Sequence, residues 1–468
     1  MAELSPAERW RDLLIDRLIA RQSDMQLMDG YYHGDHPLPF LTRSHNAKIR
    51  NEFRQMIEDS RSNFMRLVVE AVEERLRVDG FRLSAAENKP ADQASWAIWQ
   101  ANEMDAQSQV AFGEALVKGV SYLSVWAPLS ADGYPTIAVE DPTQTIVAYE
   151  AGSNNRRRAA ALKVWRDEWT GMERANVYLP DGIYKWERKI VEPPSSSPSA
   201  HIAAASLDHS SWDWLSSEAP FVANPVGVVP IVPLPNRPRL AWEGESELAD
   251  VYRIQNQING FLFLLALAGY MGAHRQRWAS GLAIMEDEKG RPVEPFNSAV
   301  DRLWATENPD VKFGEFSQTD LSGYLSAIEQ KIQHIADISK TPRHMLVQQG
   351  QSPSGDAIKS AESGLVKKVE KRQTTFGEGL EEALRLARRF AGETDTPVDS
   401  EVVWADAATK TEGEVTDAVI KKWQANLIPW EQSLIDLGYT TTEIERMRNQ
   451  FGSTPEPPSK APQEPTTV

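Results

Sequence analysis

The sequence predicts an α+β fold, mainly α, and three observations carry that expectation. Apolar residues recur three and four positions apart through the first quarter and through much of the second half, the period of helices buried along one face. From Ser121 onward the period drops to two for several short runs, each bounded by turn residues, which is the mark of antiparallel strands. Two long helical stretches, 245–274 and 320–339, bracket a segment of short strand signals, giving a two-helix stalk with a small tip.

The helical elements justify themselves in order. MAELSPAERWRDLLIDRL opens a helix at Ser5-Pro6 that runs to about Met28. It lacks the basic and apolar regions of a secretory signal, so synthesis in the cytoplasm is expected. DGYYHGDHPLPF (Asp29 to Phe40) mixes Gly, Pro and aromatics and reads as a connection packed by its rings. Helical spacing returns from Asn51 to Arg77, with Leu67, Val68, Ala71, Val72 and Leu76 on one face, and a helical pair follows from Ala91 to Lys118.

SYLSVW, PTIAV, TIVAYE, AALKVW, NVYL and IYKW then form a β-meander. Glu192 to Ser211 is rich in Pro, Ser and Ala and reads as a flexible insertion. Pro225, Pro230, Pro233, Pro235 and Pro238 forbid helix and favour an extended, edge-like path. The first stalk helix is apolar on nearly every side, with Phe261, Leu262, Phe263, Leu264, Leu265, Leu267 and Met271. It is either the central helix of a globular core or a rod buried between identical copies, since such a helix must be covered all round. Its apolar part, Phe261 to Ala273, is too short to span a bilayer, and no membrane association is expected.

The second stalk helix carries a narrow stripe of Tyr324, Leu325, Ile328, Ile332, Ile335 and Ile338. Pro342 stops it, and Val347 to Gly355 is an uncharged loop of Gln, Ser and Gly, either a surface turn or a mobile lip. A long helix resumes from Asp356 to about Phe390, with weak points at Gly364, Gly377 and Gly379. Its first half is basic, with Lys359, Lys367, Lys368, Lys371 and Arg372, which reads as a solvated face. Two further helices, 412–426 and 440–449, precede a Pro-rich tail.

Composition limits function. The 468 residues, 41% hydrophobic, supply two or three layers or domains. A net charge of −17 argues against a surface that adsorbs DNA, which needs an extended basic face, yet suits a wall past which phosphates slide. With no cysteine, disulfides, thiolate zinc sites and thiol nucleophiles are excluded. No phosphate-cradling G-x-x-x-x-G-K-[ST], dinucleotide G-x-G-x-x-G after a strand, G-x-S-x-G or H-E-x-x-H occurs, so no catalytic residue and no cofactor is expected. His33 and His36 flank Asp35 but have no third and fourth ligand nearby, so no metal is assigned there.

The order of parts, with several local sequences, resembles the portal (head-tail connector) proteins of long-tailed double-stranded DNA phages, in the branch found among actinobacterial siphophages. The residues that carry this are DGYYHGDHPLPF, NFMRLVVEAVEERLRVDGF (Asn63 to Phe81), IWQANEMDAQSQ (Ile98 to Gln109), IAVEDP (Ile137 to Pro142), YLPDGIYKWER, NPVGVVPIVPLPNRPRL, RQRWASGL, EPFNSAVDRLWATENPDVKFGEF, and SKTPRHML followed by SPSGDAIKSAESGLVKKV. The similarity runs from about residue 25 to 450, and its specificity lies in the combination.

The resemblance implies a dodecameric ring at one capsid vertex, a channel for packaging, retention and ejection of double-stranded DNA. Residues 1–243 would be the wing, 244–273 and 320–346 the two stem helices, 274–319 a small α/β clip and 347–355 the tunnel loop. A long kinked helix, 356–392, would lie at the wing and channel, 393–452 would form a helical crown, and 453–468 a disordered tail.

Gln348, Gln349, Gln351 and Ser352, with Lys331, Lys340 and Arg343, are the candidates for the DNA channel. Trp304, Phe313, Phe316, Glu286, Asp287 and Glu288 are those for docking the terminase large subunit and then the head-completion adaptor. Phe261, Phe263, Leu264, Leu267, Ile328 and Ile332 are those for packing between subunits. Major capsid and scaffolding proteins are further implied partners, with the virion as location after assembly in the host cytoplasm. Two other classes stand beside this one: a metal-dependent enzyme acting on nucleic acid, whose carboxylates would leave little sequence signature, and another head-tail adaptor or capsid component.

Overall fold

Three buried clusters, a mostly helical one, one of a helix laid on a sheet and a smaller one where the two sheets meet Met25, organise the computed structural model among its described residues. It describes residues 4–37, 51–83, 92–128, 130, 133–154, 156–167, 169–189, 209, 212–240, 244–273, 277–281, 285–286, 292–293, 310–315, 320–347, 355–394, 396, 400–408, 412–439 and 441–451. The fold is mixed α/β.

Helix α1 (Pro6–His33) begins in a capping box: the Ser5 hydroxyl accepts from the Glu8 N–H, and the Glu8 carboxylate accepts from the Ser5 N–H at 2.7 Å. It ends at Gly34, whose φ of 88° is a left-handed cap that glycine adopts without strain. The helix therefore takes in Asp29 to His33, which the sequence assigns to a connection. The single helix expected from Asn51 to Arg77 is two, α2 (Asn51–Asp59) and α3 (Met65–Glu73). The Asn63 side chain makes the break: its oxygen accepts from the Met65 N–H at 3.0 Å and its nitrogen donates to the Tyr32 carbonyl at 2.9 Å. Helices α4 (Gln93–Ala101) and α5 (Met104–Lys118) form the expected pair.

The strands do not form one meander. Strand β1 (Val78–Leu83) pairs far along the chain with β15 (Ser400–Trp404), which sequence reading missed, so the stretch ahead of the C-terminal helices is tied to the N-terminal body. Strand β2 (Val120–Trp126) lies between β3 (Thr136–Glu140) and β10 (Ile231–Pro235). The Pro-rich segment is thus an edge strand. Asn236 N–H donates to the Gly119 carbonyl and Val125 N–H to the Pro230 carbonyl, so even-numbered positions face β2 and Pro233 and Pro235 lose no ladder bond.

The second sheet runs β4 (Thr145–Tyr149), β5 (Arg158–Asp167), β6 (Met172–Tyr178), β7 (Gly182–Lys189) and β8 (Asp213–Trp214), with β9 (Phe221–Ala223) also on β7. Leu14, Ile15 and Leu18 of α1 are buried on it against Ile146, Leu162, Val164, Val177 and Trp186.

Helix α6 (Tyr252–Ala273) leads to the tip, where the described residues are paired strands: β11 (Arg277–Ser280) with β14 (Lys312–Glu315), and β12 (Met285–Glu286) with β13 (Pro292–Val293). Helix α7 (Ser322–Ser339) packs back along α6, and a short α8 (Arg343–Leu346) follows Pro342. Helix α9 (Gly355–Phe390) runs unbroken through the glycines read as weak points. Gly379 serves close packing instead: a Cβ there would meet Leu234 Cδ2 of β10 at 2.4 Å. Phe376 of α9 stacks on Phe112 of α5 with centroids 5.2 Å apart. Among the described residues the C-terminal part holds three helices rather than two, α10 (Glu412–Gln424), α11 (Trp430–Asp436) and α12 (Thr441–Phe451).

Candidate functional site

The two halves of α6 differ in everything but their helix. In the root half, Gln255, Ile258 and Asn259 are buried, and the polar ones among them are fully engaged. Gln255 accepts from the Phe64 N–H at 2.9 Å and donates to the Ser62 carbonyl at 2.8 Å. Asn259 accepts from the Ser62 N–H at 3.1 Å, and its amide nitrogen lies 2.8 Å from His36 Nδ1. His36 Nε2 is 3.1 Å from the Tyr31 carbonyl, and Tyr31 itself hydrogen-bonds Asn256.

This arrangement gives His36 a protonated Nε2 and an accepting Nδ1. Burial holds its imidazole below the ordinary value, although the bond to the Tyr31 carbonyl works the other way. Such a histidine is a partnered core residue. Among the described residues no group of three or more His, Asp or Glu is placed to hold a metal ion.

In the distal half no residue from Phe261 to Gly269 is better than half-buried, and Tyr270 is 47% exposed. On α7 the stripe divides: Ile328, Ile332 and Ile335 are buried, whereas Leu325 and Ile338 are about half exposed, at 52% and 50%. Of the six residues expected between subunits, Phe261, Ile328 and Ile332 belong to the chain's own core, where Phe261, Leu262 and Leu265 pack against it. This alters the expectation for Ile328 and Ile332, which their own chain already buries. Phe263, Leu264 and Leu267 are only partly buried and lie outside that core. Among the described residues no helix is long and apolar enough to cross a membrane.

At the foot of the pair, α9 meets the end of α7 and the segment leading into α6. Glu247, buried, accepts from Arg372 Nε at 2.8 Å and Nη2 at 2.5 Å and pairs with Lys368 Nζ at 2.8 Å. Lys368 also donates to the Ser339 carbonyl at 2.9 Å, fastening α9 to the last turn of α7. Burial pushes the Glu247 carboxyl up, but the two cations outweigh it and hold it at about 2. Lys368 is drawn below its ordinary value, first by burial and then by the charges of Arg372 and Arg237, against the pull of Glu247.

Two members of the basic run read as solvated are therefore interior ion partners. Their four-residue spacing was a readable sign that they share a face. Glu247 gave no sign, because it lies 125 positions from Arg372.

Beside this triad opens a cavity of about 470 Å³, lined by Arg237, Arg239, Lys340, Lys367, Lys371 and Thr375 together with the triad. Lys340, expected at the channel, lines it and holds the left-handed position that ends α7, with φ of 58°. Lys331 is half-buried on α7. Arg343 opens α8, half-buried, and its Nε has no hydrogen-bond partner among the described residues. Gln348, Gln349, Gln351 and Ser352 lie outside the described residues, as do Trp304, Phe316, Asp287 and Glu288. Glu286 and Phe313 are placed by backbone alone, in β12 and β14.

Comparison with known proteins points to one family. The family described as phage portal protein, SPP1 Gp6-like, matches residues 11–451. The portal protein of Mycobacterium phage L5 is 30% identical over 469 aligned residues, 96% of this chain and 89% of the relative. That of Mycobacterium phage D29 is 32% identical over 406 residues, 82% of this chain and 77% of the relative. Both come from actinobacterial phages, the branch whose sequence signature the chain carries. A match that runs through the strands of both sheets, both stalk helices and the C-terminal helices leaves one assignment, that the chain belongs to the phage portal protein family.

Proposed function

We propose that copies of this chain close into a ring, dodecameric in the particle, at one capsid vertex, with α6 and α7 as its stem. One observation carries the reading: the distal half of α6 is apolar on every side, and its own chain fully buries no residue from Phe261 to Gly269. Covering what remains exposed of a partly buried Leu or Phe side chain contributes up to about 1 kcal/mol, repeated at every neighbour around a closed ring. Phe263, Leu264 and Leu267 are the contacts.

Double-stranded DNA passes through the bore during packaging and ejection, and the segment 347–355 with Lys331, Lys340 and Arg343 faces it. The β tip, with Glu286, Asp287, Glu288, Trp304, Phe313 and Phe316, docks the terminase large subunit and later the head-completion adaptor, while the wing meets capsid and scaffolding proteins. The chain acts as a structural conduit in the virion, assembled in the host cytoplasm, and does no covalent chemistry.

The test is a full-length Leu264→Glu/Leu267→Glu variant compared with the unaltered chain by native mass measurement and negative-stain imaging. The unaltered chain should form closed rings and the variant folded monomers with the same circular dichroism. Rings of unchanged size from the variant would remove α6 as the subunit contact. Separately, shortening Gln348 to Ser352 should leave rings intact while lowering packaged or retained DNA in particles, and unchanged genome content would remove that segment from the channel.

A further inference from the structure

We infer that the cleft between α9, the end of α7 and residues 237–239 and 245–251 is a phosphate-binding site that grips the backbone of duplex DNA. The inference rests on the portal reading and adds to it a defined point of contact. The cleft is a local inversion of charge. The whole chain carries −17, yet this cavity is lined by seven cationic side chains against three carboxylates, an excess of four.

The three carboxylates are already committed. Glu247 is taken by Lys368 and Arg372, and Arg237 draws in Asp250 at 3.0 Å and Glu245 at 3.4 Å. Lys340, Lys367, Lys371 and Arg239 then remain at the mouth, and among the described residues none has a carboxylate within ion-pair distance.

Uncompensated cations grouped in a concave site repel one another, and low-dielectric walls focus their field toward solvent. An anion relieves both. Its chemistry follows from the lining. Lys367 and Lys371 stand one turn apart on α9, about 6 Å along its axis, on the exposed row beside the interior pair Lys368 and Arg372. Their exposed ammonium groups are point charges suited to a chain of phosphates rather than to one planar carboxylate. A fixed contact with a second copy would need apolar area, and the cleft offers little besides Pro238, Val251 and Ile338, whereas α6 already supplies it. Sequence-independent binding that weakens steeply with salt suits a site that must hold a moving duplex and release it.

The experiment uses full-length oligomer and a fluorescent 30-base-pair duplex of arbitrary sequence, titrated at several salt concentrations between 50 and 200 mM. Lys367→Gln/Lys371→Gln should weaken binding about tenfold at the lowest salt and make the plot of log affinity against log salt shallower by about two. Lys421→Gln/Lys422→Gln, the same charge change on α10, should leave both unaltered. Equal loss in the two variants, no loss in the first, or no binding by the unaltered oligomer would overturn the inference. Rings that fall apart only in Lys367→Gln/Lys371→Gln would overturn it in favour of a contact between copies. An unaltered chain that forms no ring at all overturns the portal reading itself, which separates the two failures.

Discussion

The root and the distal half of α6 are one helix with opposite relations to the rest of the chain. The root is polar and buried, with Gln255, Asn256 and Asn259 matched to Ser62, Phe64, His36 and Tyr31. The distal half is apolar and only partly covered. A self-contained globule would show the reverse, with apolar turns inside and polar turns in water. Hydrogen bonds fix the direction in which the helix leaves the body, and its hydrophobic area is left partly uncovered. The largest effect should come from reversing that division. Glutamates at Leu264 and Leu267 should abolish assembly outright while moving the urea midpoint of the monomer little, and a large loss of monomer stability would mean that these residues are core after all.

The foot of the stalk should be the next most sensitive place. Glu247→Gln leaves Lys368 and Arg372 buried without their counter-charge, at a cost of about 3–5 kcal/mol. Lys421→Gln, which breaks only the exposed pair with Asp417, should cost under about 0.5 kcal/mol. Both are read by urea unfolding in the monomeric Leu264→Glu/Leu267→Glu background. Similar values for the two would place the triad effectively in water. The triad also predicts an acid response. The folded-state carboxyl of Glu247 lies near 2 and its ordinary value is 4.5, so its contribution is complete above 4.5 and disappears as pH falls toward 2. The loss should be on the order of 3 kcal/mol and absent from Glu247→Gln.

A smaller loss is expected at the root. Asn259→Leu keeps the volume but strands the Ser62 N–H and His36 Nδ1, costing about 2–3 kcal/mol. Because the knot sets how α6 leaves the body, rings of this variant should also be heterogeneous in size by native mass measurement. Uniform rings would show that neighbours alone orient the stem.

These comparisons also mark what was legible in the sequence. Local period announced α1, α4, α5, α6, α7 and α9, because an amphipathic or wholly apolar helix writes its burial along a single segment. The polar run Gln255 to Asn259 was visible as a break in apolar character, but its partners Ser62 and His36 were not, since hydrogen bonds across roughly 200 positions leave no periodicity. Strand partners failed for the same reason. The alternation in SYLSVW and IVPLP gave two strands, but only the fold pairs Val232 with Leu123, and β15 lay unseen until Val78 met Trp404. Of the site, the apolar face was legible as a need for cover. The cleft was not, because Arg237, Lys340 and Lys371 converge from three segments that look ordinarily basic or neutral alone.

The mildest prediction tests the root without breaking it. His36 sits against the Tyr31 carbonyl and Asn259, with its folded-state value below 6.5 because burial penalises the charged ring. The unfolded chain therefore binds more protons than the folded one just below pH 6.5. The sign follows: this residue's contribution is complete above pH 6.5 and is lost as pH falls through its lower folded-state value, with a slope of at most about 1.4 kcal/mol per pH unit. That window lies above the one set by Glu247, so urea midpoints of the monomeric variant at pH 7.5, 6.5 and 5.5 separate the two. His36→Gln, which can still donate and accept at similar positions, should flatten the decline across that range while keeping most of the stability at pH 7.5. An identical slope in both proteins would mean that the imidazole is already charged or solvated in the folded chain, and the root of α6 would then be a wetter and looser anchor than its hydrogen bonds require.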